Sequence, residues 1–175
     1  MGRLALLLLK EKLLIHEARR WVGITEQDGN NRGQLVQLFQ KSAGGLAQGE
    51  PWCMAFVQYC VQQVDQLVND CLEPALPKTL LPKGEHCLAV WNQSQNLRLD
   101  KPKPGSLCVW QHGNTASGHI GVVVDVNPDR SIMTIEGNTS PGSQGNQREG
   151  GGVWLKCRDL NAIGELKVKG FLAVW

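Results

Sequence analysis

The sequence predicts an α+β domain, with helices first and a mostly antiparallel sheet after them. Through about Asn69 the apolar residues recur at three- and four-residue spacing, the period of a helix with one buried face. From Pro104 onward they gather instead into short β-branched runs separated by turn-forming residues. A length of 175 residues with 42% hydrophobic and 19% charged content fits one soluble domain with a single core, 1–175, and no internal repeat.

The elements follow in order. Leu6, Leu9, Leu13, Leu14 and Ala18 set an amphipathic helix running to about Trp21, of which residues 1–13 form an N-terminal helical extension. A polar glycine-asparagine loop reaches Gly33, and a second helix from Gln34 to Lys41 turns Leu35, Leu38 and Phe39 inward. Pro51 can open a third helix without loss, because its missing donor has no partner in a first turn. Phe56, Val57, Cys60, Val61 and Val64 anchor that helix in the core as far as about Asn69. Pro74, Pro77 and Pro82 then mark an irregular connection, and a short helix starts at Cys87. Strands are expected over Ser106–Trp110, His119–Val126, Ile132–Glu136, Val153–Cys157 and Val168–Val174, with Asn127-Pro128-Asp129-Arg130 as a turn. Between Gly137 and Gly152 lies a Gly/Ser/Asn/Gln loop, read either as a flap over a groove or as a solvated connection.

Three of these elements carry chemistry. Cys53, in Pro51-Trp52-Cys53-Met54-Ala55-Phe56-Val57, falls at a helix start, where unpaired N–H groups and a partial positive charge stabilise a thiolate. His119 opens a strand and has Gly118 and Gly121 beside it, leaving room near the ring. Glu136 and Asn138 are two apart on the next strand and point to one face, so in a hairpin either can accept the second N–H of His119. Cysteine, histidine and a carboxylate or amide form a nucleophile, a base and its orienting group. His112, in the preceding loop, is the rival base.

Together Pro51-Trp52-Cys53-Met54-Ala55-Phe56-Val57, Gly118-His119-Ile120-Gly121-Val122-Val123 and Ile135-Glu136-Gly137-Asn138-Thr139 resemble the CHAP amidohydrolase/peptidase family, within the papain-like NlpC/P60 group. Thr25–Gly33, Lys103-Pro104-Gly105 and Arg148–Val153 extend the likeness, so that it spans roughly Leu14 to Trp175. The resemblance implies a papain-like fold and a phage endolysin-like peptidoglycan hydrolase with Cys53 as nucleophile, His119 as base, Glu136 as orienter and Asn138 as a fourth polar residue. Ser106 stands where many members have aspartate, which touches local geometry more than chemistry. Some members bind calcium ahead of the nucleophile; here Ala43–Glu50 has one carboxylate, too few for a hard cation.

No cofactor and no metal are expected, since Cys108 and His112 lack a second well-spaced pair. Trp52 and Trp110 are the groove candidates for substrate. A net charge of +2 without a basic run argues against nucleic acid. The leucine-rich start is too short to span a membrane and has no small-x-small cleavage site. The expectation is a monomer made in the cytoplasm, without a clear signal peptide or separate wall-binding domain, that meets bacterial peptidoglycan after release or delivery. Of the six cysteines, Cys60, Cys71, Cys87, Cys108 and Cys157 read as small buried hydrophobes, with a Cys71–Cys87 bridge as an alternative. Two other function classes stay open: a non-catalytic wall-binding or particle-structural module, and a thiol amidase acting on a soluble amide.

Overall fold

The computed structural model describes residues 2–27, 29–44, 49–71, 78–142, 150–161 and 165–175. The segment 45–48 of the calcium-loop reading, Pro74 and Pro77, and residues 143–149 of the flap reading lie outside them.

Among the described residues four helices precede a six-stranded antiparallel sheet, as the change of period at Pro104 implies. They are α1 (Arg3–Arg19), α2 (Gln34–Ala43), α3 (Cys53–Cys71) and α4 (Cys87–Gln93), followed by a 3-10 turn over Gln95–Leu97. The strands are β1 (Arg98–Leu99), β2 (Leu107–His112), β3 (Gly118–Val126), β4 (Ser131–Thr139), β5 (Gly152–Asp159) and β6 (Leu166–Leu172), in spatial order β1-β6-β2-β3-β4-β5. The β3–β4 hairpin turns where Asn127–Arg130 was expected to turn. Arg130 N–H donates to the Asn127 carbonyl, and Asp129 Oδ1 accepts from Ser131 N–H. Strand β4 runs three residues beyond Glu136, so the first part of the expected loop is sheet.

The main core lies between α3 and the sheet, where Met54, Phe56, Val57, Val61 and Val64 meet Leu107, Ile120, Val122 and Ile135. Close approach of α3 depends on Gly137: a Cβ there would come 2.8 Å from Phe56 Cβ and 2.9 Å from the Trp52 ring. A smaller cluster of Cys108, Trp110, Val123, Ile132 and Phe171 forms separately.

Of the expected α1 stripe, Leu6, Leu14 and Ala18 are buried and Leu9 and Leu13 half-buried, with Lys10 and Glu17 buried beside them. Residues 3–13 are thus the first part of a continuous packed helix. Lys10 occupies an inward position because Asp65 of α3 receives it at 2.8 Å. Asp65 also accepts from the Thr79 N–H and the Trp175 indole, which ties the chain's last residue to the helices. Breaking a buried ion pair from one side strands the other charge, costing about 3–5 kcal/mol. Lys10→Met is therefore expected to lower stability by about 3 kcal/mol in urea unfolding, whereas exposed Lys12 replaced likewise should change it little. In α2, Val36 and Phe39 turn inward while Leu38 is exposed, one position from the expected face.

Candidate active site

Helix α3 begins at Cys53, with Trp52 just outside it, accepting the Phe56 N–H at 2.9 Å. Pro51 lies one residue further out and fixes the chain's approach rather than occupying the first turn. Cys53 is thus the first helical residue, where main-chain N–H groups have no intrahelical acceptor. It lines a cleft of about 450 Å³ together with Glu50, Pro51, Glu85, His86, Cys87, Ala116, Ser117 and Gly118. Among the described residues, Glu85 Oε1 is buried there without a hydrogen-bond partner.

His119 on β3 is fully buried and donates from Nε2 to Glu136 Oε2 at 2.9 Å. That commitment leaves Nδ1 to face the thiol; among the described residues Nδ1 has no hydrogen-bond partner. Glu136 is in turn held by two further side chains. Its Oε1 accepts from Thr134 Oγ1 at 2.6 Å and from Arg158 Nε at 2.8 Å, while Oε2 also accepts from Arg158 Nη2. Gly121 makes room for the carboxylate, since a Cβ there would sit 2.6 Å from Glu136 Cγ. The expected space beside the ring is therefore taken by the orienting group.

The electrostatics follow from this chain of contacts. For Cys53 the hydrogen bond with Cys87 lowers the pKa most, burial opposes it, and His119 and the Met54 N–H lower it further. The result lies well below the usual thiol value. Burial pulls His119 down, but the neighbouring Cys53 thiolate and the hydrogen-bonded Glu136 carboxylate outweigh it and raise the imidazole to about 9. Burial pushes Glu136 up, yet Arg158 first and His119 second hold it down at about 2. A thiolate, an imidazolium and a carboxylate in series can deliver a nucleophile and then a proton.

Cys53, His119 and Glu136 come together; the other sequence candidates do not join them. Asn138 is committed elsewhere. Its Oδ1 accepts the Trp52 N–H at 2.9 Å, and its Nδ2 donates to Asn31 Oδ1 at 2.7 Å and to the Gly150 carbonyl at 3.1 Å. It holds the entry to α3, in a left-handed conformation with φ of 58° that asparagine tolerates. Asn138→Gly keeps that conformation and deletes the three bonds. It is expected to lower stability by about 1–3 kcal/mol and the rate by roughly 10–100-fold through displacement of Cys53; urea unfolding and kcat measure the two effects separately.

The tryptophans are not groove residues. Trp52 is 1% exposed, stacks on Phe39 with ring centroids 5.7 Å apart, and donates its indole N–H to Glu26 at 2.8 Å. Trp110 is 2% exposed and pairs across the strands with His119, its ring centroid 5.8 Å from the imidazole, so it backs that ring. His112 is turned to Glu165 at 3.0 Å, on the exposed end of β2. No disulfide joins Cys71 to Cys87: Cys71 is exposed at the end of α3, and Cys87 Sγ lies 3.5 Å from Cys53 Sγ. Cys157 is exposed as well, because Lys156 and Arg158 are the β5 side chains that reach inward, to the Ser140 carbonyl and to Glu136. Among the described residues no group of three His, Cys, Asp or Glu side chains is placed to hold a metal ion, and no helix is long and apolar enough to cross a membrane.

Cys87, Thr134 and Arg158 were not singled out for the site in the sequence. Arg158 and Lys156 do leave a trace there: two charges spaced two apart within a strand, which mark an inward polar face as readily as an outward one.

Comparison with family models matches residues 45–138, over half of the chain, to the CHAP domain. No curated protein and no solved structure matches the chain.

Proposed function

The chain belongs to the CHAP domain family, generally hydrolytic amidases and peptidases that commonly act on peptidoglycan, and from that premise we propose a peptidoglycan hydrolase working through a cysteine nucleophile. The observation that carries the reading is the buried series from Cys53 through His119 to Glu136, with the thiol opening on the cleft.

Cys53 Sγ attacks the carbonyl carbon of an amide, either N-acetylmuramoyl–L-alanine or a stem or cross-bridge peptide bond. The C–N bond breaks as His119 passes its proton to the leaving amine. His119 then takes a proton from water, which attacks the thioester and releases the acid with Cys53 as thiolate. The Cys53 main-chain N–H, at the unpaired start of α3, is one donor to the oxyanion. Glu136 keeps the imidazole oriented through both steps, stabilises its charged form before the first and after the second, and remains ionised throughout. Glu85 Oε1 offers a buried acceptor beside the thiol, suited to a substrate N–H.

Mass spectrometry of fragments released from purified sacculi by reduced protein tests this. New amine and carboxyl ends identify the bond from their masses. An intact wall in the presence of folded, reduced protein would overturn the assignment in favour of a soluble amide or a binding role.

A further inference from the structure

Two thiols face the same cleft. Cys53 and Cys87 are each the first residue of a helix, α3 and α4, and their sulfurs lie 3.5 Å apart. Both line the opening, so a small solute reaching one reaches the other. The remaining cysteines are differently placed. Cys71 is at the far end of α3, about 27 Å from Cys53 at 1.5 Å per residue. Cys60 and Cys108 are buried, and burial pushes both thiols well above their usual range, which suppresses the reactive thiolate. Cys157 is exposed on β5.

We propose that Cys87 is a resolving thiol for Cys53, and that a hydroperoxide converts the pair into a reversible disulfide that caps the nucleophile. The proposal rests on the reactive Cys53 thiolate of the mechanism above. In the first step Cys53 Sγ attacks the peroxide oxygen. An S–O bond forms, the O–O bond breaks, and the departing alkoxide or hydroxide takes a proton from His119. Cys53 is then a sulfenic acid, oxidised by two electrons, and the peroxide has been reduced by two. In the second step Cys87 attacks the Cys53 sulfur. The S–S bond forms, the S–O bond breaks, and the leaving hydroxide takes the Cys87 proton to become water. Closing the sulfurs from 3.5 Å to a bond of about 2.05 Å is a movement of about 1.5 Å, shared between two side chains at helix starts. A dithiol donor reverses the change by exchange, so hydrolysis follows the ambient thiol poise and Cys53 is spared irreversible oxidation.

The test is thiol mapping of the whole protein. Reduced protein, freed of reductant, is treated with a several-fold molar excess of hydrogen peroxide, its remaining thiols are blocked with N-ethylmaleimide, and the digest is read by mass spectrometry. The expected result is a linked pair of peptides containing Cys53 and Cys87, separated again by dithiothreitol. In Cys87→Ser the expected product is Cys53 carrying two oxygens, which dithiothreitol does not remove. Wild-type protein showing that same sulfinic acid on Cys53, with Cys87 alkylated, would overturn the switch and leave the thiolate mechanism standing. A Cys53 that neither oxidises nor alkylates would overturn both. The wild-type readout decides the matter even if Cys87→Ser folds poorly.

Discussion

Cys53→Ala is expected to abolish hydrolysis, with a fall on the order of 10⁶-fold, while the protein stays folded. No other group at the site replaces the sulfur in acyl transfer. His119 activating water directly would give only a small residue of the rate, because the covalent intermediate that divides the reaction into two easier steps is gone. The fold should tolerate the change: Cys53 sits at the end of the core, alanine suits a helix start, and the anchors Phe56, Val57 and Val61 are untouched. Far-UV circular dichroism and the urea midpoint report the fold, and product release from sacculi reports the loss. The same thiol should react with iodoacetamide well below the usual thiol pKa near 9.0, whereas Cys60 stays inert in the native protein because burial keeps it protonated. Hydrolysis surviving in a folded Cys53→Ala protein would remove Cys53 from the mechanism.

The pH dependence has a definite sign. His119 is raised from 6.5 to about 9, so alone it contributes stability present below pH 6.5 and lost as pH rises through about 9. Cys53 is lowered from 9.0, so its contribution is complete above that value and is lost as pH falls through the lowered one. Where the pH is above both 6.5 and the lowered Cys53 value and below about 9, the folded pair and the unfolded pair each hold one proton, and the two slopes cancel. Stability from this pair is therefore flat across the window in which thiolate and imidazolium coexist. Activity should share that plateau and decline on the alkaline side near pH 9.

The order of helices and strands was legible because hydrophobic period is a local property, and the change at Pro104 sits within a few residues of β2. Cys53, His119 and Glu136 were legible for a related reason: a helix start, a strand start and a hairpin partner are each encoded nearby in sequence. Side-chain direction was harder to read. Trp52 and Trp110 carry the same apolar body and polar edge whether they line a groove or fill a core, and only packing against Phe39 and His119 decides it. Lys10 follows a leucine-rich run with nothing local to mark an inward position, because its partner Asp65 is 55 residues away. On β5, Val153, Leu155 and Cys157 alternate as an inward face should, yet Leu155 and Cys157 are exposed. The inward charges find their partners on β4 and beyond, which sequence alternation cannot see. Cys87 was obscure for the same cause: 34 residues separate it from Cys53, and nothing local marks a contact between sulfurs.

Glu136→Gln separates the orienting role of the carboxylate from its structural one. The amide keeps the shape and can still accept the His119 N–H, but it removes the negative charge that helps hold the imidazole at about 9. The alkaline limb of kcat/KM should move to lower pH, and the rate on the plateau should fall by about 10²–10⁴-fold. Stability should fall as well. Glu136 is lowered from 4.5 to about 2, so its contribution is present above pH 4.5 and lost as pH falls through about 2. With the carboxylate gone, the largely buried Arg158 guanidinium loses its ion pair with Glu136, costing up to about 3–5 kcal/mol. A second change resolves the two effects. In Glu136→Gln/Arg158→Met both charges of the pair are gone, so much of the stability should return, measured as the urea midpoint at pH 7. The rate should not return, because the imidazolium still lacks its anion. Recovery of both together would mean that Glu136 acts only through the fold, and recovery of stability alone would place it with His119 in the proton transfers.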